Sequence, residues 1–254
     1  MRQIIFHEET KTFHLYNEKI SYILCVLENG HLGQLYFGKR LHDKADFSYL
    51  VEKCGRPMTS YIYEWDRTFS LEHIRQEYPV YGTTDYRHPA IELLQENGSR
   101  ISEFQYDSYE IIAGKPKLSG LPATYTESEE EAQTLRIFLK DALTGAKLAL
   151  LYTIFDEYSA IARSAYIENA GEKNLHVLNM MSLSLDLPDK DYEWMQLSGA
   201  WSRERYIKSR TLEQGITAID SMRGNSSHEH NPFLALKRHN TDENAGEAIG
   251  ISLV

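Results

Sequence analysis

Alternation of apolar and polar residues at every second position dominates this chain, and it commits the chain to extended segments that each bury one face. Leu135, Ile137 and Leu139 alternate with Arg136, Phe138 and Lys140. Lys147 to Phe155 and Ala160 to Ile167 read as two more strands, joined by the polar stretch Asp156-Glu157-Tyr158-Ser159. Lys11 to Leu15 and Ile20 to Leu27 flank Asn17-Glu18-Lys19, the pattern of a hairpin. From Leu175 onward, Leu175, Val177, Met181, Leu183, Leu185 and Leu187 fall on one face, and His176, Ser182, Ser184 and Asp186 on the other. That spacing predicts one long, half-buried strand from Leu175 to Leu187.

Turn signals cut this pattern at short intervals: Asn29-Gly30, Asn97-Gly98, Gly114-Lys115-Pro116, Ser119-Gly120-Leu121-Pro122, Thr144-Gly145 and Ala170-Gly171. With almost no helical periodicity between them, the expected class is all-β, a large antiparallel β-sandwich of about fifteen to eighteen strands at ordinary strand length. One short helix is expected at Ser70 to Gln76, where Ser70 can cap and Leu71 and Ile74 can pack. The last residues, Ala248 to Val254, alternate as a strand without a polar tail, which predicts further chain beyond them in the parent protein.

Composition narrows the partners. Hydrophobic residues at 42% supply a core, and no apolar run approaches the roughly 20 residues of a membrane helix. The net charge of −10 and the lack of a basic stripe argue against nucleic acid and anionic membranes. The acidic run Glu127 to Glu131 reads as a solvated turn or strand edge. Two cysteines, Cys25 and Cys54, and a start without a secretion signal point to a reduced, cytoplasmic chain.

Chemistry-bearing motifs are sparse. There is no Gly-x-Ser-x-Gly elbow, no phosphate-cradling glycine loop, and no sign of a cofactor. His228 and His230 share a face at strand spacing but lack an evident third ligand, so no metal is expected. Asp66, Asp85, Asp186 and Glu204 read as turn or ion-pair residues rather than as a catalytic pair. The Asn-x-Ser sequences at Asn97 and Asn225 read as turns. Two clusters of aromatics with arginine stand out. Tyr61, Tyr63, Trp65, Asp66 and Arg67 form one, and Trp201, Arg203, Arg205 and Tyr206 the other. Flat rings can stack on a sugar while Arg and Asp bond its hydroxyls, and the same residue types anchor protein interfaces.

Four strings carry a resemblance: EYPVYGTTDYRHPA from Glu77, GKPKLSGLPATY from Gly114, LSGAWSRERY from Leu197 and SSHEHNPFLAL from Ser226. They resemble bacterial α-galactosidases of glycoside hydrolase family 36, in order and along the whole chain. The resemblance implies that residues 1–254 are an amino-terminal β-supersandwich, galactose-mutarotase-like in fold. A catalytic (β/α)8 barrel and a small carboxyl-terminal β domain would lie outside this chain. It implies a parent enzyme that hydrolyses terminal α-galactosides such as melibiose and raffinose with retention. Both catalytic aspartates would sit on the barrel, leaving this chain with no catalytic residue. It also implies a homo-oligomer, a tetramer in similar enzymes, in which the segment from Cys54 to Arg67 reaches a neighbour's pocket. Substrate-binding positions are then Arg56 and Trp65 in that segment, and Trp201 and Arg203 in LSGAWSRERY. Competing readings are a free-standing carbohydrate-binding module and an aldose-epimerase-like enzyme, which would need a histidine and a carboxylate as acid and base.

Overall fold

The computed structural model describes residues 3–55, 66–120, 122–223 and 228–254. Among these residues the fold is nearly all sheet, with 3-10 turns only at Ser48–Leu50 and Glu129–Glu131. The chain divides into two compact units. One comprises Met1–Ser119 and Thr124–Asp186, the other Gly120–Ala123 and Leu187–Val254.

In the first unit, β1 (Gln3–His7), β2 (Thr12–Tyr16), β3 (Ile20–Val26) and β4 (Leu32–Lys39) form one antiparallel meander. After β5 (Ile91–Gln95), a second meander runs through β6 (Phe104–Ala113), β7 (Ala132–Asp141), β8 (Ala146–Phe155) and β9 (Ile161–Asn169). β10 (Leu175–Met180) then returns to pair with β5. Phe13, Leu15, Tyr22 and Leu24 of the first meander share one buried cluster with Leu135, Ile137, Leu150 and Ile154 of the second, the core of a sandwich. Each such side chain contributes about 1.5–3 kcal/mol on leaving water.

β3 is buried on both faces. Tyr22 and Leu24 enter the sandwich core, while Ile23 and Cys25 enter a second cluster with Leu35, Phe47, Phe69, Leu71 and Ile74. That is why Ile20–Val26 reads as a nearly continuous apolar run instead of alternating. The expected hairpin is present. Asn17 locks its turn by accepting from the Lys19 and Ile20 amides and donating to the Phe155 and Tyr158 carbonyls.

One ion pair is sealed inside this unit. Arg163 on β9 meets Glu77 at 2.6 Å, with the Glu77 side chain fully buried and that of Arg163 nearly so. The Tyr22 hydroxyl donates to the Glu77 carboxylate at 2.8 Å and accepts from Arg163 Nη1 at 3.0 Å. The guanidinium lies 3.9 Å from the centre of the Tyr152 ring. Burial pushes the Glu77 carboxyl up, and Arg163 and the tyrosine hydroxyl work against that shift.

Three sequence expectations need correction. Leu175 to Leu187 is not one strand. A register shift between Val177 and Asn179 turns Val177 and Leu178 to solvent, and β10 stops at Met180. The chain then leaves the sheet so that Leu185 packs on the core and Asp186 accepts the Gln76 amide. Ser70 to Gln76 is a single turn and not a helix. The Ser70 carbonyl accepts from the His73 and Ile74 amides, and Leu71 and Ile74 pack as expected. It propagates no further because the next amides bond elsewhere, Gln76 to Asp186 and Glu77 to the Leu32 carbonyl. The described residues hold fourteen strands, fewer than expected, since most of the described residues between 40 and 90 run as irregular chain.

The second unit is one four-stranded antiparallel sheet. It is built from β11 (Glu193–Ala200), β12 (Arg203–Thr211), β13 (His230–Lys237) and β14 (Ala248–Ser252), in the order β12-β11-β13-β14. The alternating carboxyl-terminal segment is indeed a strand, with Ile249 opposite Leu236 and Ile251 opposite Leu234. Tyr192 and Trp194 are buried under cationic lids, with the Arg238 guanidinium 3.9 Å from the Tyr192 ring centre and that of Arg210 5.8 Å from Trp194. No helix among the described residues is long and apolar enough to cross a membrane.

Removing one partner of the sealed pair leaves a buried charge. Arg163→Met is expected to lower the unfolding free energy in urea by roughly 3–5 kcal/mol. The double variant Glu77→Gln with Arg163→Met should recover part of that loss. Equal losses in the single and double variants would show that the charge pairing is not what matters.

Candidate functional site

The tip of the β11–β12 hairpin gathers the exposed side chains of the second unit that the sequence singles out as candidates. Ala200 pairs with Arg203 across the turn residues Trp201 and Ser202. The backbone there is unusual: Ser202 (φ 60°) and Arg205 (φ 62°) both occupy the left-handed region that non-glycine residues avoid. Each such residue costs about 1–3 kcal/mol and persists only where surrounding contacts hold it. Here Glu204 accepts the Ser202 amide at 3.2 Å, and the Gly199 amide donates to the Glu229 carbonyl at 3.0 Å. Gly199 is required by close approach, since a Cβ at that position would lie 2.2 Å from the Arg203 carbonyl oxygen.

Trp201 projects from this turn with 79% of its surface exposed, edge-on to His228 at 6.2 Å between ring centres. Arg203 is exposed beside it. Below the tip, a row of hydrogen bonds runs along β11 from Trp194 Nε1 to Gln196, from Gln196 to Ser198, and from Ser198 to His230 Nδ1. Arg223 forks onto Glu229 with bonds of 3.1 and 2.7 Å. That contact, helped by the nearby imidazoles of His228 and His230, holds the Glu229 carboxyl below its usual range. His228 thus lies in the turn that leads into β13, and His230 is the first residue of that strand, opposite Ser198. No group of three His, Cys, Asp or Glu among the described residues is arranged to hold a metal.

All nine residues of β12 are exposed, including Tyr206 and Ile207. β12 is an edge strand with Arg203, Glu204, Arg205, Lys208 and Arg210 along it, charges that deter unwanted strand pairing. Flat aromatics beside fork-shaped donors on an open surface can stack on and bond a polyhydroxyl ligand. Arg56 and Trp65, with Tyr61 and Tyr63, lie outside the described residues.

The carboxylates singled out in the sequence are engaged structurally. Asp66 accepts the Thr68 amide and hydroxyl and pairs with Lys53 at 3.0 Å, which lowers its carboxyl to about 2. Asp85 and Asp186 meet on one side chain, Arg87, which also donates to the Leu71 and Ile74 carbonyls. Glu204 braces the hairpin turn.

The structure also assembles a cluster that the sequence reading missed. His14 lies between Asp43, 2.8 Å from Nδ1, and Ser21, 2.9 Å from Nε2. The order Ser–His–Asp is that of a hydrolytic triad. It cannot act as one, because Ser21 and His14 have no exposed surface and the Ser21 oxygen already accepts the Leu41 amide. The sequence offered no signal, since Asp43 lies in an irregular stretch 29 residues from His14.

The sequence profile of the glycosyl hydrolase family 36 N-terminal domain matches residues 30–254. The chain belongs to this family. Alpha-galactosidase AgaA of Geobacillus stearothermophilus is 44% identical over 251 residues, covering 99% of this chain and 34% of that protein. Alpha-galactosidase Mel36A of Lactobacillus acidophilus is 38% identical over 98% of this chain and 34% of its own. Among solved structures, AgaA superposes with a TM-score of 0.90 at 44% identity, covering 94% of this chain and 33% of that one. The alpha-galactosidase from Lactobacillus brevis superposes at 0.93 with 37% identity, covering 97% and 33%. This family 36 chain thus spans about a third of the length of the relatives it matches. A structure of an AgaA variant was obtained in complex with raffinose.

Gly199→Ala is expected to destabilise the chain by roughly 1–3 kcal/mol, because backbone must move to admit the methyl group. Gly98→Ala, facing open space at φ +82°, should cost only about 1–2 kcal/mol from its left-handed conformation. Thermal unfolding compares the two, and near-native behaviour of Gly199→Ala would contradict the packing of this tip.

Proposed function

We propose that the chain is the non-catalytic amino-terminal domain, over residues 1–254, of a cytoplasmic, homo-oligomeric α-galactosidase. The parent enzyme hydrolyses terminal non-reducing α-D-galactosides such as melibiose and raffinose with retention. Its catalytic aspartates belong to a barrel beyond these residues. The observation that carries the reading is the match along nearly the whole chain to a third of several proteins named alpha-galactosidase. The structural engagement of Asp66, Asp85, Asp186 and Glu204 supports it, since none is left poised for acid or base work.

In this reading the domain shapes the leaving-group side of the pocket. Trp201 stacks on the substrate's apolar face, Arg203 bonds its hydroxyls, and the segment carrying Arg56 and Trp65 contributes in the oligomer. Such contacts, remote from the reacting bond, orient substrate and exclude water. A second reading, a free-standing carbohydrate-binding module, draws on the exposure of Trp201.

Incubated at high concentration with p-nitrophenyl α-galactoside, the 254-residue chain is expected to release no p-nitrophenol above background. Saturable release would place the chemistry within this chain and overturn the reading. Tryptophan fluorescence titrated with melibiose separates the second reading. No saturable change is expected for a pocket-shaping domain alone, and a saturable change lost in Trp201→Ala would favour the binding module.

A further inference from the structure

The face of the first sheet opposite the sandwich core is crossed by the segment from Leu41 to Phe47. Leu41 and Phe47 pack there with Ile23 and Cys25. Its polar fastenings are directional. The Asp43 carboxylate can only accept, so His14 Nδ1–H and His7 Nε2–H both donate to it, at 2.8 and 3.0 Å. Burial works to raise the Asp43 carboxyl, and these two hydrogen bonds outweigh it and hold the group below its ordinary value. At the other end of the His14 ring, Ser21 Oγ accepts the Leu41 amide at 2.9 Å, leaving its own hydrogen for His14 Nε2 at 2.9 Å. The network therefore has room for one proton on His14.

A second proton turns Nε2 from acceptor to donor. The Ser21 oxygen must then accept twice, and its own hydrogen loses its only partner in a fully buried site. Other charges around the ring add to the conflict. His7 on β1 and Arg40 at the start of the segment oppose a positive His14, and only Asp43 favours it. Burial, the largest influence, already pushes the His14 imidazole below its usual value. A histidine held neutral in the fold but free to protonate elsewhere loses stability as pH falls below about 6.5. Just past the Phe47 end of the segment, a cavity of about 180 Å³ is lined by Thr12, Cys25, Leu27, Leu35, Ser48 and Phe69.

We propose that Leu41–Phe47 is an acid-released strap, opened when His14 takes a second proton and exposing Cys25 by loosening the cluster in which Phe47 packs with it. Loss of the His14–Ser21–Leu41 chain frees the Leu41 end, and Phe47, packed edge-on against His14 at 5.3 Å, loses its seat. The rest of the sandwich, on the far side of β3, stays closed.

Cys25 is the reporter, in a Cys54→Ser chain that removes the exposed thiol. Its reaction with 4,4′-dithiodipyridine is followed between about pH 7.5 and about pH 5.5, alongside near-ultraviolet circular dichroism. The expected result is a rate, divided by that of free cysteine at the same pH, that rises on acidification while the dichroism holds, by up to about tenfold per pH unit for one-proton coupling. The division removes the loss of thiolate with acid, which by itself lowers the rate about tenfold per pH unit and would cancel the gain. A flat or falling ratio overturns the strap, as does a rise that tracks loss of the dichroism, which is global unfolding. His14→Gln should abolish the acid acceleration, and its persistence there overturns the assignment. Should that variant not fold, imidazole proton shifts of the Cys54→Ser chain decide the matter. The midpoint of Cys25 exposure must coincide with that of His14. Coincidence instead with His31, the other histidine that burial holds below its usual value, refutes it.

Discussion

A sealed salt bridge organises the larger unit of this protein. Arg163 and Glu77 meet where burial penalises both charges, and they are tolerated only because each is answered by the other, by the Tyr22 hydroxyl and by the Tyr152 ring. The contact ties β9 to β3 and to the irregular chain after residue 75, elements otherwise unconnected by strand pairing. A buried charge pair is weak evidence for extra stability, but it is strict about geometry.

β3 is the mechanical counterpart of that pair. Its side chains feed apolar clusters on both faces, so the sandwich core and the second cluster share a wall. The described parts of the irregular chain between β4 and β5 can therefore be held without strands of their own. Phe47, Phe69, Leu71 and Ile74 fasten it to the back of β3, while Arg87 gathers Asp85, Asp186 and two carbonyls into one anchor. The second unit is built on the opposite plan, with few buried side chains and an edge strand open along its length. Its precision sits in the backbone of one hairpin, where Gly199 admits close approach and Ser202 and Arg205 are held in conformations they would not choose. Stability and presentation are thus assigned to different parts of the chain.

Much of this was legible in the sequence. The alternation of β7 and β8 and the hairpin at Asn17 follow from local rules of period and turn chemistry, and they stand where the pattern put them. The family emerged from four strings whose spacing and order are too specific to arise from propensity. The failures share a cause. Leu175 to Leu187 alternates beyond the point where a bulge ends the ladder, because period two records which residues can face a core and not how long a partner strand lasts. The turn at Ser70 has helical composition, but the next amides are drawn to Asp186 and to β4. Ser21, His14 and Asp43, like Glu77 and Arg163, come together only through tertiary packing, and no spacing in the sequence announces them.

The claim that the sandwich carries stability while the hairpin presents a surface is tested most directly by native-state hydrogen exchange on the 254-residue chain. Amides of β3 and β8 should exchange last, near the rate set by global unfolding. Those of β12 that face outward from the sheet edge should exchange first. Protection of the β12 edge equal to that of β3 would contradict the account, because the hairpin would then be part of the stable core.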